Sequence, residues 1–171
     1  GRFAFLCKAA LQSCKDTGWI PDIVHSHDWQ GAAAPVFRKT WDAWDSPLSH
    51  SASVLTIHNL AYQGQGEKGV LDWMGIGPEH FTPEKFEDHG RVNFLKAAIH
   101  FSEAITTVSP TYAHEIRTPV GGQGLAPYLS RRAHDLFGIL NGIDADIYDP
   151  STDKHLPATF SANSQSGRLA C

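Results

Sequence analysis

The chain has 171 residues, 42% of them hydrophobic and 19% charged, with a formal charge of −4, a composition that fits a globular fold and excludes a disordered segment. Lys and Arg are scattered and form no basic patch, so neither nucleic acid nor an anionic membrane is indicated as a partner. No apolar run approaches the length of a membrane span.

In chain order, apolar residues at 3, 6, 7, 10 and 14 predict a helix over 2–17, with Gly18 as its natural stop. A branched apolar run predicts a strand over 22–25. Asp28 is then placed to cap a helix through 31–38, where Pro35 implies a kink or a late start. Residues 45–51 read as loop, and 54–58 as a second strand. Residues 61–90 carry many glycines and prolines and read as an irregular stretch with short turns, a candidate lid. A helix is expected over 91–102 and a strand over 104–108. Ser109-Pro110 gives an N-cap and first position for a helix over 111–117. A fourth strand, 137–140, ends at the turn signal Asn141-Gly142, and the pattern dissolves after Pro150.

Strands alternating with helices imply an α/β fold, a Rossmann-like, doubly wound parallel sheet joined by right-handed crossovers. Runs that are apolar throughout suit strands covered on both faces. Two of these runs, Ile23-Val24-His25-Ser26-His27-Asp28 and Val54-Leu55-Thr56-Ile57-His58, stop at a histidine with a polar neighbour. Ligands of open α/β sheets sit beyond the carboxyl ends of the strands, so His27, Asp28 and His58 are expected in one crevice. Asp28 is suited either to meeting sugar hydroxyls or to capping the following helix. His25 reads as a hydrogen-bonded core residue, and a metal site is disfavoured because no third ligand is in evidence. His114-Glu115 lacks the second histidine of a zincin helix, since residue 118 is Thr. The Gly121–Gly124 loop has neither dinucleotide nor P-loop spacing, although its amides suit close approach to an anion or a sugar. Cys7, Cys14 and Cys171 show no CxxC spacing, which points to a reducing compartment. Met74 is the only methionine and no leader pattern is seen, so the chain is expected to be a fragment or a processed product.

Six ordered segments resemble the starch synthase and bacterial-type glycogen synthase family: residues 21–30, Thr56–Gly64, Val92–Ala97, Thr106–Ala113, Gly121–Leu125 and Leu140–Asp144. The resemblance implies the N-terminal, acceptor-side domain of a GT-B glycosyltransferase, incomplete, over residues 1–160, with 161–171 an irregular tail toward a missing C-terminal domain. It further implies transfer of glucose from ADP-glucose to the non-reducing end of an α-1,4-glucan with retention, without metal or other cofactor. By the same resemblance His58 and Asp28 are catalytic, and Asn141, Tyr62, Gln63, Gly122 and Gly124 are substrate-binding. The family's Lys-x-Gly-Gly-Leu loop and the nucleotide-holding second domain are not found in this sequence, so the chain alone is expected to be inactive. A non-catalytic, glucan-binding or scaffolding homologue is the alternative. A plastid stroma is the expected address, with a bacterial cytoplasm as the alternative.

Overall fold

The computed structural model describes residues 1–44 and 46–171, which divide into two compact units, Gly1–Leu140 and Asn141–Cys171. The first unit is built on a parallel sheet of β1 (Ile23–His27), β2 (Ala52–Ile57), β6 (Ala104–Thr107) and β7 (Leu136–Gly138), in the order β1-β2-β6-β7. Its helices are α1 (Arg2–Thr17), α2 (Asp28–Gly31), α3 (Ala33–Thr40), α4 (Gly69–Met74), α5 (Phe94–Phe101), α6 (Pro110–Glu115) and α7 (Ala126–Arg131). Among the described residues, no helix is long and apolar enough to cross a membrane.

One face of the sheet is dry. Leu55, Ile57, Ile105 and Leu136 are buried there with Leu95, Ala98 and Ile99 of α5, Ala113 of α6 and Leu129 of α7. A second cluster joins Ala4, Cys7 and Leu11 of α1 to Val36 and Phe37 of α3 and to Met74 and Phe86. The opposite face is different. Ile23 is 58% and Phe137 52% exposed, and His25 is exposed as well. Arg38, buried in α3, donates to Ser53 Oγ at 2.7 Å and pairs with Glu103, whose other oxygen accepts from the Ser53 amide. This network ties the amino ends of β2 and β6 together and satisfies the buried charge, which burial otherwise penalises.

The expected helix 2–17 is present, and Gly18 closes it at φ 70°. Its apolar stripe divides, however. Cys7 is buried, as is Leu11 outside the stripe, whereas Leu6 is exposed and joins Phe3, Cys14, Trp19 and Ile23 along an apolar groove of about 450 Å³ beside the open edge of β1. The strand expected at 22–25 runs on to His27, and the helix expected at 31–38 is two helices broken at Ala32, with Pro35 in the first turn of α3, where its missing N–H costs little. The loop holds as turns over 46–50, and Asp45 lies outside the described residues. Ser109 caps α6 as expected, accepting from the Tyr112 amide at 2.8 Å.

The irregular lid expected over 61–90 is instead ordered. It contains β3 (Gln65–Gly66), α4, a short 3-10 turn (Pro78–His80) and β4 (Glu87–Asp88), and with β5 (Arg91–Asn93) forms a small antiparallel sheet, β3-β5-β4. The helix expected from 91 therefore starts at Phe94, where the Asn93 side chain accepts from the Lys96 amide. Strands of two or three residues carry no readable alternation, and pairing with β5 supplies the backbone partners that the segment needs. The second unit is turns, one Ser161–Ser164 bridge and a 3-10 turn over Ser166–Ala170.

Candidate functional site

The parallel register sets His27 of β1 opposite Thr56 of β2. His25, His27 and Thr56 share one sheet face by the two-residue period, and His58, just past β2, continues it. The histidines meet there. His27 Nδ1 lies 3.1 Å from His58 Nε2, the His25 and His27 rings stack at 4.4 Å, and His25 Nε2 lies 2.7 Å from Thr56 Oγ1. Thr56 Oγ1 is in turn 2.6 Å from Thr106 Oγ1. His25 is thus hydrogen-bonded as expected, but on an open face rather than in the core. Burial, then the two neighbouring imidazoles, push its pKa below the ordinary histidine value.

Asp28 does not cap its own helix. It opens α2 at φ 53°, a left-handed conformation that an Asp adopts more readily than most residues. Its Oδ1 instead accepts from the His58 backbone N–H at 2.7 Å. The carboxylate therefore bridges the ends of two adjacent strands. The chain on both sides of His58 is fixed as well, because the Leu60 amide donates to the Tyr112 hydroxyl at 3.0 Å and Thr107 Oγ1 donates to the Ile57 carbonyl at 2.7 Å.

Trp29, next to Asp28, leads into a neighbouring cavity of about 470 Å³ that Tyr62, Gln63, Asp88, His89, Gln123 and Gly124 also line. Tyr62 stands out into solvent. Gly64, at φ 67°, sits so close against the Trp29 ring that a Cβ there would overlap it. Gln63 Nε2 donates to the Gln123 carbonyl at 2.8 Å, joining this loop to the glycine-rich one. Gly124, at φ 86°, faces open space. Gly122 is buried against Ala126, and its amide donates to the Thr118 carbonyl at 2.8 Å, so it shapes the loop from within. Asn141 is exposed and belongs to the second unit.

Asn93 was not singled out by sequence. It is fully buried, donates to Gln63 Oε1 at 2.6 Å and to Asp88 Oδ2 at 2.9 Å, and caps α5 with its oxygen. Beneath it the buried Lys96 bonds the Glu87 carbonyl and lies 4.2 Å from the centroid of the Tyr128 ring. An Asn at a helix start is the signal that could have found it, but a helix expected from 91 places Asn93 inside. Among the described residues no group of three or more His, Cys, Asp or Glu is arranged to hold a metal ion. The arrangement offers imidazole, carboxylate, amide and aromatic groups around an open polar hollow, a set suited to sugar hydroxyls.

The starch synthase catalytic domain family matches residues 1–131. The glycogen synthase of Anaeromyxobacter sp. (strain Fw109-5) is 50% identical over 170 residues, 99% of this chain and 36% of that protein. The glycogen synthase of Desulforudis audaxviator (strain MP104C) is 47% identical over 93% of this chain and 32% of its own length. The solved catalytic domain of starch synthase IV from Arabidopsis thaliana, bound to ADP and acarbose, superposes with a TM-score of 0.83 at 38% identity, over 98% of this chain and 34% of that one. The chain thus spans about a third of the length of the curated relatives it matches. Its α/β fold with a parallel sheet matches part of a GT-B glycosyltransferase domain. On the match over residues 1–131, the chain belongs to the starch synthase catalytic domain family.

Proposed function

We propose that this chain supplies the acceptor-side half of the catalytic centre of a glycogen or starch synthase, which transfers glucose from ADP-glucose to the non-reducing end of an α-1,4-glucan with retention. The observation that carries this reading is the Asp28 bridge to the His58 amide, which fixes both residues at adjacent strand ends beside the hollow of Tyr62 and Gln63. In the proposal His58 and Asp28 face the reacting glucosyl group. Tyr62, Gln63 and Gly124 line the sugar path, Gly122 sets the course of its loop, and Asn141 contacts the glucosyl unit. Residues 1–160 belong to the N-terminal domain, and 161–171 lead toward the second.

A glucosyl transfer passes through an oxocarbenium-like state, and polar groups already fixed by backbone bonds stabilise the developing charge without reorganising. A second domain closing over the hollow would exclude water and so favour transfer over hydrolysis. The exposed sheet face of Ile23 and Phe137 and the groove at the β1 edge support the reading that more polypeptide completes this domain. The reported curated relatives are bacterial glycogen synthases. They do not support the plastid address, and we favour a bacterial cytoplasm.

The test is glucosyl transfer from radiolabelled ADP-glucose to glycogen by the full-length protein. His58→Ala is expected to lower kcat by about a hundred- to a thousandfold, the loss typical of one preorganised charge-stabilising group. The 171-residue chain alone is expected to be inactive. A full-rate His58→Ala enzyme would remove His58 from the reacting centre. Glucan binding by the full-length protein without any transfer would favour the non-catalytic reading.

A further inference from the structure

We propose that His27 is a positioning residue for His58, holding its ring by Nε2 in one orientation with Nδ1 turned away from the contact. The proposal rests on the reading of His58 as a residue of the reacting centre. Its geometric basis is separate from that reading.

His27 and His58 come from different strand ends, 31 positions apart, and their nitrogens lie 3.1 Å apart with ring centroids at 5.4 Å. A neutral imidazole carries one donor and one acceptor nitrogen, so a bond between two rings needs opposite roles at the shared contact. Whichever role His58 Nε2 takes, Nδ1 is left with the other. Either arrangement satisfies the contact, so what the contact fixes is the orientation of the His58 ring.

The neighbours hold His27 in place. Its ring is stacked on His25, and His25 is anchored on Thr56 Oγ1, which bonds Thr106 Oγ1 in the next strand. The stack thus rests on side-chain bonds that cross three strands of the parallel sheet. His58 is gripped at a second point, its backbone N–H on the Asp28 carboxylate. Backbone and ring are therefore fixed independently, one by Asp28 and one by His27. The titratable groups facing the pair are His25 from β1 and Asp28 from α2. Two imidazolium rings at this distance would set N–H against N–H, so the contact requires that the pair hold fewer than its full complement of protons.

The test uses two measurements. In this chain, side-chain three-bond couplings at neutral pH report the rotamer of His58. A single rotamer is expected in the wild type, averaging between rotamers in His27→Ala, and a single one again in His27→Asn, whose amide reaches the place of Nδ1. His27 is exposed, so these changes leave the core intact. An unchanged His58 pattern in His27→Ala overturns the proposal. In the full-length enzyme, His27→Ala is expected to lower kcat about ten- to a hundredfold, the scale of a misplaced reacting group, with KM for donor nearly unchanged and with partial rescue by His27→Asn. An unaltered kcat with an altered rotamer also overturns it. If His58→Ala retains full activity, the reading of the reacting centre fails instead, and the couplings still decide whether His27 sets the ring.

Discussion

Asn93→Ala tests whether the buried polar bridge beneath the hollow holds its loops. Asn93 is fully buried, and one side chain makes three bonds: to Gln63 Oε1, to Asp88 Oδ2 and from the Lys96 amide. Losing the cap costs about 1 kcal/mol. Leaving Gln63 and the half-buried Asp88 short of a donor costs roughly 1–3 kcal/mol more. The sum, about 3 kcal/mol, lowers Tm by roughly 6–12 °C in a domain of this size. Asn93→Ser separates the two parts, because a hydroxyl still caps α5 but reaches neither Gln63 nor Asp88. It is expected to recover about 1 kcal/mol of the loss. The assay is thermal unfolding followed by circular dichroism. Asn93→Ala melting with the wild type would refute the reasoning, since it would mean that water replaces all three bonds at no cost.

Gly64→Ala is expected to destabilise by about 1–3 kcal/mol, because the new methyl must enter a left-handed backbone position and overlap the Trp29 ring; chemical denaturation measures it, and a neutral change would show that Trp29 yields freely. Acid should weaken the fold. Burial, then nearby imidazoles for His25 and Lys85 for His80 and His100, lower these pKa values, so each ring binds protons less readily folded than unfolded. Their contribution is full above about pH 6.5 and is lost as pH falls through the depressed folded values. Glu103 acts in the same direction at lower pH. Burial alone would raise it, but Lys39, the Ser53 amide and Arg38 outweigh that and hold it low. Tm is thus expected to fall steadily on acidification, and a Tm that rose below about pH 6 would contradict the assignment.

The parallel strands were legible because four runs of branched apolar residues punctuate the chain, and the helix stops at Gly18 and starts at Ser109 follow local backbone chemistry. Asp28 and His58 were legible as a pair because both sit where strands end. Their bond was not, since the positive φ of Asp28 is a property of the turn and the expected cap would have used the same carboxylate locally. The small antiparallel sheet was hidden for another reason: its strands are two and three residues long, and tertiary pairing alone defines them. Asn93 stayed invisible because nothing in its neighbourhood of the sequence announces Gln63, 30 positions earlier, as a partner. Likewise α7, behind Gly124 and with Pro127 in its first turn, has too few residues to show a period.

The stripe on α1 shows how a correct pattern can still mislead about burial. Positions 3, 6, 7, 10 and 14 form a single helical stripe. Cys7 turns inward, but Leu6 lines the groove along β1, where it meets Trp19 and Ile23. Exposed apolar surface of this kind is retained when something else covers it. The open face of the sheet shares this character at Ile23 and Phe137, yet between them it carries the polar series His25, Thr56 and Thr106. Apolar cover alone would leave those groups unpaired, at a cost comparable to a lost hydrogen bond each. They bond one another instead, in a row across the sheet that ends under the His27 ring. The two bonds take up two of the row's three donors, so a covering layer need match only the third, and the histidine stack would pass from an exposed surface to the wall of a site. The bonding within the row is what allows one sheet face to serve as both packing surface and support for His58.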